Sequence, residues 1–453
     1  MGNKYVVGHR SESSKTSFVA HGDFIYRHEP VPIFIKAKGS ALEDIGGYRY
    51  LSADAANGTA NLGFDASILK ESWKKVEKIP SMPSFCETEL RLRVAKRLAN
   101  LFYKATGEQG KVAFELGGAQ GVELAIKVVK SNHRKSQFAV FEGGYHGRSI
   151  FISQLSASHR YRAFLGDWRI PVIRLPYPDV EYSTYLKTEE AFVNAALDSV
   201  DRITRGEIGG VVTNKGEGDI AALIIEPVLN AGGIVKPPKR YLEAVVKRFR
   251  ELGALIVVDE IFCGFHRTGP MFGFEHYDFI PDIVILSKAL TNGLAPLSCV
   301  WAKNPYMMPE RFPPGTHSST FTNNTLSLAI ADTVLDRYAQ WKTIHADVNR
   351  IERKLSEMIS AVVKEFPIAK SGYAIGALGR IVLRKNIAGQ IDDFAMTIAR
   401  KNAVNGFHGA ILASTGLSPH VLAINPPLTI TQRELEVLRI LLIQTFAAAQ
   451  SLL

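Results

Sequence analysis

The sequence predicts an α/β fold in which a mostly parallel sheet carries the functional residues and a smaller domain covers them. Three observations lead there. Two short apolar runs, residues 255–258 and 283–286, show no polar alternation and so read as strands buried on both faces. Each run is followed by a charge, Asp259 after the first and Lys288 after the second. At 453 residues the chain exceeds one ordinary domain, so a large unit and a smaller one are expected. Ligands of open α/β sheets bind beyond the carboxyl ends of the strands. A carboxylate and an amine emerging there together suggest a shared ligand.

Composition sets outer bounds. Hydrophobic residues make up 46% and charged residues 22% of the chain, which suits a globular protein with a large core. No apolar run reaches the length of a membrane span. The N-terminal MGNKYVVGHRSESSK has no apolar centre for a signal peptide, and Val6 stands where a myristoylation signal at Gly2 needs Ser or Thr. A cytoplasmic location is the expectation. Cys86, Cys263 and Cys299 lack metal-ligand spacing and imply no disulfide framework, so no metal is expected. Cys263 reads first as a small buried filler. The formal net charge is +10, yet Lys and Arg are scattered without a reader motif, so neither nucleic acid nor membrane is an expected partner.

Residues 1–30 are polar and irregular, with His21-Gly22-Asp23 and Arg27-His28 as an arm that would cross a partner subunit. Residues 33–63 read as small strands and turns, and 87–106 as a helix with Leu90, Val94, Leu98 and Leu101 at helical spacing. Residues 111–116 form a strand. Gly117-Gly118-Ala119-Gln120-Gly121 then leads into a helix, so backbone N–H groups point outward at its positive end and make an anion cradle. A larger side chain at 117 or 118 would block a phosphate. Residues 138–141 are the next strand, ending in Gly143-Gly144-Tyr145-His146-Gly147-Arg148. Residues 149–218 read as an irregular excursion followed by helices. The strand AALIIEP carries Glu226, and 241–252 is a crossover helix. Residues 326–365 form long helices. Beyond them come a strand at 377–383, a helix near 391–404, strands at 410–413 and 421–424, and a last helix from Thr431. No internal repeat is present.

A lysine beside an aspartate at strand ends suits pyridoxal 5'-phosphate. Lys288 would form the Schiff base, and Asp259 would hold the pyridine nitrogen protonated so that the ring accepts electrons. The stretch VVDEIFCGFHRTGPMFGFEH, followed by PDIVILSKALTNGLAPLS, resembles the class III (omega) family of pyridoxal-phosphate aminotransferases, of fold type I. The resemblance covers the chain from about residue 30 onward. It implies a large domain with a mostly parallel seven-stranded sheet between helices, plus a smaller α+β domain. Residues 1–75 would add to the small domain and the substrate entrance, 76–330 would form the large domain, and 331–453 the small one.

Residue by residue, the resemblance implies that Gly118 and Ala119 donate backbone N–H groups to the phosphate. Tyr145 stacks on the pyridine with His146 in support, Ile261 packs on the opposite face, and Glu226 lies near the ring oxygen. Thr320, in Thr316-His317-Ser318-Ser319-Thr320-Phe321, would donate its hydroxyl to the phosphate in the other subunit, which implies an obligate homodimer with shared active sites. Asn57, Gly58 and Thr59 fall on the substrate side. The chain departs from the family pattern at several points. The usual His-Pro after Gly63 is absent, Gln120 stands for Glu, Gly117 for Ser, Leu229 for Gln, and Thr322-Asn323-Asn324-Thr325 for Gly-Gly-Asn-Pro. The most informative departure is Ala423, three residues before Pro426-Pro427-Leu428, where most relatives carry the Arg that grips the substrate carboxylate. Either the substrate lacks that carboxylate, or Arg148 or Asn425 takes it.

The implied reaction moves an amino group from an amino acid or amine to a 2-oxo acid, with Lys288 carrying the proton. An amino-acid or amino-lactam racemase or epimerase on the same fold is the alternative. A non-catalytic binding protein is disfavoured, because Lys288, Asp259, Tyr145 and Thr320 are all retained.

Overall fold

The computed structural model describes residues 32–450 apart from 167, 178, 180, 182–184, 187, 207–209, 213–215 and 416. The arm expected around His21–Asp23 and Arg27-His28 lies outside the described residues.

Helix formation follows side-chain capping and an apolar stripe. Helix α1 (Ala66–Val76) starts from Asp65, whose carboxylate accepts from Ser67 N. Helix α2 (Glu89–Thr106) is capped by Thr88 and ends at Gly107, at φ +73°. It buries Leu90, Val94 and Leu98 as expected from the sequence, but Phe102 rather than Leu101 completes the stripe, and Phe102 stacks between Phe272 and Trp301. The cap at Thr88 rather than at residue 86 sets the observed start.

The large sheet has seven strands: β4 (Gly110–Glu115), β5 (Gln137–Phe141), β6 (Val172–Leu175), β7 (Ile220–Ile225), β8 (Leu255–Asp259), β9 (Ile283–Leu286) and β10 (Ser298–Lys303). Their order in space is β4-β10-β9-β8-β7-β5-β6. β5, β6, β7, β8 and β9 run parallel, and β10 is antiparallel to both β4 and β9, so the sheet is mostly parallel, as expected. Every residue of β7, β8 and β9 is buried, which is why these strands read as unbroken apolar runs. Helix α3 (Gly118–Asn132) follows β4 and crosses one face, packing on β4, β8, β9 and β10. Helices α4 (Glu189–Ile203) and α5 (Lys239–Glu251) pack on each other, and α5 lies on β7 and β8.

Two smaller sheets flank it. β1 (Phe34–Lys38), β2 (Ala41–Asp44) and β3 (Arg49–Ser52) form an antiparallel meander, and β13 (Gly409–Ile411) joins its edge parallel to β3. After α6 (Thr325–Gln340) and α7 (Ile344–Glu365), the chain builds an antiparallel sheet of order β11-β12-β15-β14. Its strands are β11 (Ala369–Ile375), β12 (Leu378–Leu383), β14 (Ala413–Thr415) and β15 (Ser418–Ile424). Helix α8 (Ala388–Thr397) ends earlier than the expected 404. Helix α9 (Gln432–Ala449) begins with a capping box between Thr431 and Glu434.

Three strands were not read from the sequence. β6 breaks what looked like an irregular stretch, β10 follows a turn through Gly293 and Pro296, and β11 alternates weakly. The expected strand at 410–413 is in fact two, because Leu412 N turns to bond Asp392 Oδ1 at 2.9 Å and sends β13 and β14 into different sheets. No described helix is long and apolar enough to cross a membrane.

Candidate active site

Asp259 is the last residue of β8 and is buried. Its Oδ2 accepts from His146 Nδ1 at 2.8 Å, and its Oδ1 accepts from Ile261 N at 3.1 Å. Both oxygens are therefore fixed in direction. On the neighbouring strand, Ser287 ends the run, with its hydroxyl bonded to Leu297 O at 2.9 Å. Lys288 follows in the left-handed region at φ +44°, a conformation that a residue with a side chain holds only when its surroundings enforce it. The parallel register brings the two strand ends together, since Asp259 lies opposite Ile285. Lys288 Nζ sits 4.6 Å from the centre of the Phe262 ring. Burial lowers the Lys288 pKa from its ordinary value, while the charges of Asp259, Glu226 and Asp54 act in the opposite direction. A larger neutral fraction of this amine is what a nucleophile or a proton acceptor needs.

The loop after β5 closes the site from the other side. Tyr145 N donates to Glu226 Oε1 at 2.8 Å, and Asn230 N donates to Oε2 at 3.3 Å. His146 N donates to Ser156 Oγ, whose hydroxyl donates to Gly147 O, each at 2.9 Å. Burial disfavours the charged form of His146, yet its bond to Asp259 and the charges of Asp259 and Glu226 prevail and raise its pKa. The buried His146 Nε2 has no hydrogen-bond partner among the described residues. Glu226 is pushed up to about 7, first by burial and then by Asp259, against His146 and its two backbone donors. An acid whose folded pKa lies above its unfolded value binds more protons when folded. Its contribution to stability therefore declines as pH rises from about 4.5 to about 7. Glu226→Gln is expected to flatten the fall in melting temperature of the cofactor-free protein across that window. Thermal melts at closely spaced pH values check it, and an unchanged slope would count against the assignment.

The N-terminus of α3 meets these residues. Gly117 caps the helix without a side-chain bond, so the first N–H groups remain directed outward. A Cβ on Gly118 would lie 3.1 Å from Ile261 Cδ1, and one on Gly147 would lie 2.6 Å from Ala119 Cβ. The backbone thus approaches both Ile261 and the 143–148 loop closely, and a bulkier residue at either glycine would fill the cradle. Gly118, Ala119, Tyr145, His146, Glu226, Asp259, Ile261 and Lys288 therefore form one connected group. Its donors match pyridoxal 5'-phosphate: helix N–H groups for a phosphate, a buried carboxylate for the ring nitrogen, an amine for the aldehyde, and Tyr145 and Ile261 for the ring faces.

Other expected residues fall elsewhere. Thr320 is exposed, beside Phe321. Arg148 is also exposed, with its guanidinium 4.5 Å from the Tyr161 ring centre and 5.8 Å from that of Tyr145. Asn425 is buried, its N–H donates to Ala53 O at 2.6 Å, and its Oδ1 has no partner among the described residues. Ala423 is buried in an apolar cluster with Val228, Ile234, Phe262 and Cys263. Sequence reasoning missed Phe262, although it lies three residues after Asp259. It also missed the left-handed turn at Ala55, Ala56 and Asn57, with φ of +44°, +50° and +59°. That turn presses Gly58 against Phe262, where a Cβ would lie 2.5 Å from Cε2. The run Ala-Asn-Gly-Thr carried a turn signal, but not its contact.

Comparison with known proteins gives one answer. A probable 4-aminobutyrate aminotransferase of Bacillus subtilis (strain 168) is 26% identical over 401 residues, covering 88% of this chain and 88% of that protein. The acetylornithine aminotransferase of Streptococcus mutans is 26% identical over 410 residues, covering 89% and 93%. The solved structure of an omega-aminotransferase from Paracoccus denitrificans superposes with a TM-score of 0.83 at 21% identity, covering 98% of this chain and 99% of that one, and so shares the fold. The family model described as aminotransferase class-III matches residues 25–445, nearly the whole sequence. With that match laid over a lysine, a buried aspartate–histidine pair and a glycine cradle at the ends of a mostly parallel sheet, the chain belongs to the pyridoxal-phosphate-dependent class-III aminotransferases.

Proposed function

We propose that this aminotransferase works through Lys288 and Asp259 and moves an amino group from an amino acid or amine to a 2-oxo acid. The observation that carries the reading is the convergence of the Lys288 amine, the Asp259–His146 pair and the α3 cradle beyond the ends of β4, β5, β8 and β9. Bound pyridoxal 5'-phosphate supplies an aldehyde carbon and an electron-withdrawing ring. Lys288 Nζ would be the amine that holds that aldehyde. Shifted toward its neutral form by burial, it would take up and return the proton of the substrate's amine-bearing carbon. Asp259 would hold the ring nitrogen protonated, and His146 Nδ1–H donates to its Oδ2. Gly118 N and Ala119 N would hold the phosphate at the positive end of α3. Tyr145 and Ile261 would flank the ring, and Glu226 accepts from the Tyr145 backbone N–H.

The working unit is a homodimer in which Thr320 serves the neighbouring site. Support comes from the surface around it. Phe321 is 56% exposed and Phe85 is 89% exposed. The loop bearing Phe85 is tied to the 320–325 segment by Asn323 Nδ2, which bonds Cys86 O at 2.7 Å, and by Thr325 Oγ1, which bonds Pro80 O at 2.8 Å. Two exposed aromatics on segments hydrogen-bonded to each other suit a surface that is covered. Sedimentation at micromolar concentration is expected to give a dimer, and a lone monomer would sink the shared-site reading. The residue ranges 1–75, 76–330 and 331–453 serve as working domains, and the cytoplasm as the working location.

A panel of amines, diamines and amino acids tests the reaction. A donor is expected to convert the enzyme-bound aldehyde form to the amine form, seen as an absorbance change, and a 2-oxo acid to restore it. An amino acid that loses its chirality with neither a spectral change nor an acceptor would replace this reading with the racemase.

A further inference from the structure

The reactive amine rests on a ring. Lys288 Nζ stands over the face of Phe262, 4.6 Å from its centre. That is within the reach of a cation–π contact, in which the negative face of an aromatic ring attracts a positive charge. The ring has little room to turn its face away. Phe262 is buried, in the apolar cluster with Val228, Ile234 and Ala423. Its edge meets the backbone of Gly58, where a Cβ would lie 2.5 Å from Cε2 and 2.9 Å from Cδ2. Gly58 is fixed by the left-handed turn before it. Asp54 Oδ2 accepts from Asn57 N at 2.9 Å, and Asp54 O accepts from Gly58 N at 3.0 Å.

The lysine is braced by the same N-terminal segment. Gly293 N donates to Lys288 O at 3.3 Å. The Asn292 side chain accepts from Leu62 N and donates to Gly63 O, each at 2.8 Å. A backbone pinned in this way at φ +44° gives the side chain a set direction. The amine needs two forms in turnover, neutral to take a proton and charged once it has taken it. In a buried site the charged form is the costly one. Asp259 at the end of β8, Glu226 after β7, Asp54 and Cys263 favour the charge against burial. Both nearer carboxylates have other bonds to keep. Asp259 accepts from Ile261 N and His146 Nδ1, and Glu226 from Tyr145 N and Asn230 N. The face of Phe262 is offered to Nζ directly.

We propose that Phe262 is a positioning residue, whose ring face holds the protonated amine of Lys288 at the strand ends whenever that amine is free of the cofactor. The inference rests on the reading of Lys288 as the reactive amine and adds a part to it. An aliphatic side chain could fill the same space but would give an ammonium no attraction. The ring acts on the charged form alone, so it preserves proton affinity that burial would otherwise remove. Gly58 serves the ring by giving its edge a backbone without a side chain to rest on.

Two replacements in the full-length chain test it, Phe262→Leu and Phe262→trifluorophenylalanine. The fluorinated ring keeps the shape and the packing but loses the negative face, so it decides the matter even where leucine disturbs folding. In the cofactor-free protein the Lys288 pKa is read by competitive labelling with trace acetic anhydride across pH. Mass spectrometry follows the peptide that carries Lys288. Both replacements are expected to lower that pKa by about 1, the scale of a desolvated cation–π contact. In the holoenzyme the acid limb of the donor half-reaction is expected to move down by the same step, because the neutral amine is the form that takes the proton. A Lys288 pKa that the fluorinated ring leaves in place would overturn the proposal. So would a fall with leucine alone, which would make the ring a packing element, or an acid limb that stays fixed. Should the wild type convert no donor at all, the reading of Lys288 in turnover fails, and the labelling still decides whether the ring holds the amine.

Discussion

Lys288→Ala is expected to lower kcat by about 10⁴-fold, the upper range for loss of a positioned proton carrier. Two losses combine in this variant. The amine that condenses with the cofactor is gone, and so is the base that moves the proton from the substrate carbon. Burial already shifts this amine toward its neutral form, so nearby groups of ordinary pKa are poor replacements. Gly293 N bonds Lys288 O, and Ala keeps the same backbone demand at φ +44°, so the fold should survive the change. Lys288→Arg is the sharper control. It retains a cation but not a nucleophile, and it should be as inactive as Ala. Steady-state rates of both variants, with the cofactor's absorbance recorded, check the result. Turnover within tenfold of wild type in either would remove Lys288 from the mechanism.

Asp259→Asn is the second large effect, with an expected loss of about 10²–10³-fold in kcat, the range seen when one preorganised electrostatic partner is removed. The amide fills the same space, but only its oxygen accepts, so it keeps one of the two bonds, from Ile261 N or from His146 Nδ1–H, and turns an NH2 donor to the other. What it lacks is the charge that favours a protonated ring nitrogen. A second consequence is local to the protein. The bond and charge of Asp259 are what overcome burial and raise the His146 pKa, so that pKa is expected to fall in the variant. A histidine whose folded pKa exceeds its unfolded one adds stability below the unfolded pKa, and that contribution is lost as pH rises through the folded value. The variant should therefore lose stability chiefly on the acidic side. NMR titration of His146 measures the shift directly. A His146 pKa unmoved by the substitution would contradict the coupling, and an unaltered kcat would contradict the catalytic assignment.

Much of the large sheet was legible because burial on both faces leaves a plain mark. Residues 255–258 and 283–286 are apolar throughout, and they appear as β8 and β9 at almost the expected ends. The cradle at Gly118 was legible because a strand, small residues and a helix follow one another in sequence. The Asp259–His146 bond was not, since it joins residues 113 apart and depends on how β5 and β8 are spaced across the sheet. β10 was missed because nothing local announces a strand inserted antiparallel between β4 and β9. Phe262 lay inside the resembling stretch, but the resemblance drew attention to Ile261 alone.

The parallel pairing of β3 with β13 places Gly409 against Tyr50, 359 positions later in the chain (409 − 50). At about 5–20 residues per second, a ribosome leaves the outer edge of β3 open for roughly 18–70 s before its mate is made. An unpaired strand edge is a template for foreign strands during that interval. The exposed β1 face, FIKAK, carries Lys36 and Lys38, and Lys36 pairs with Glu43. The edge that waits is β3, RYLS, whose exposed Arg49 is its only charge, and it closes only when the last tenth of the chain arrives.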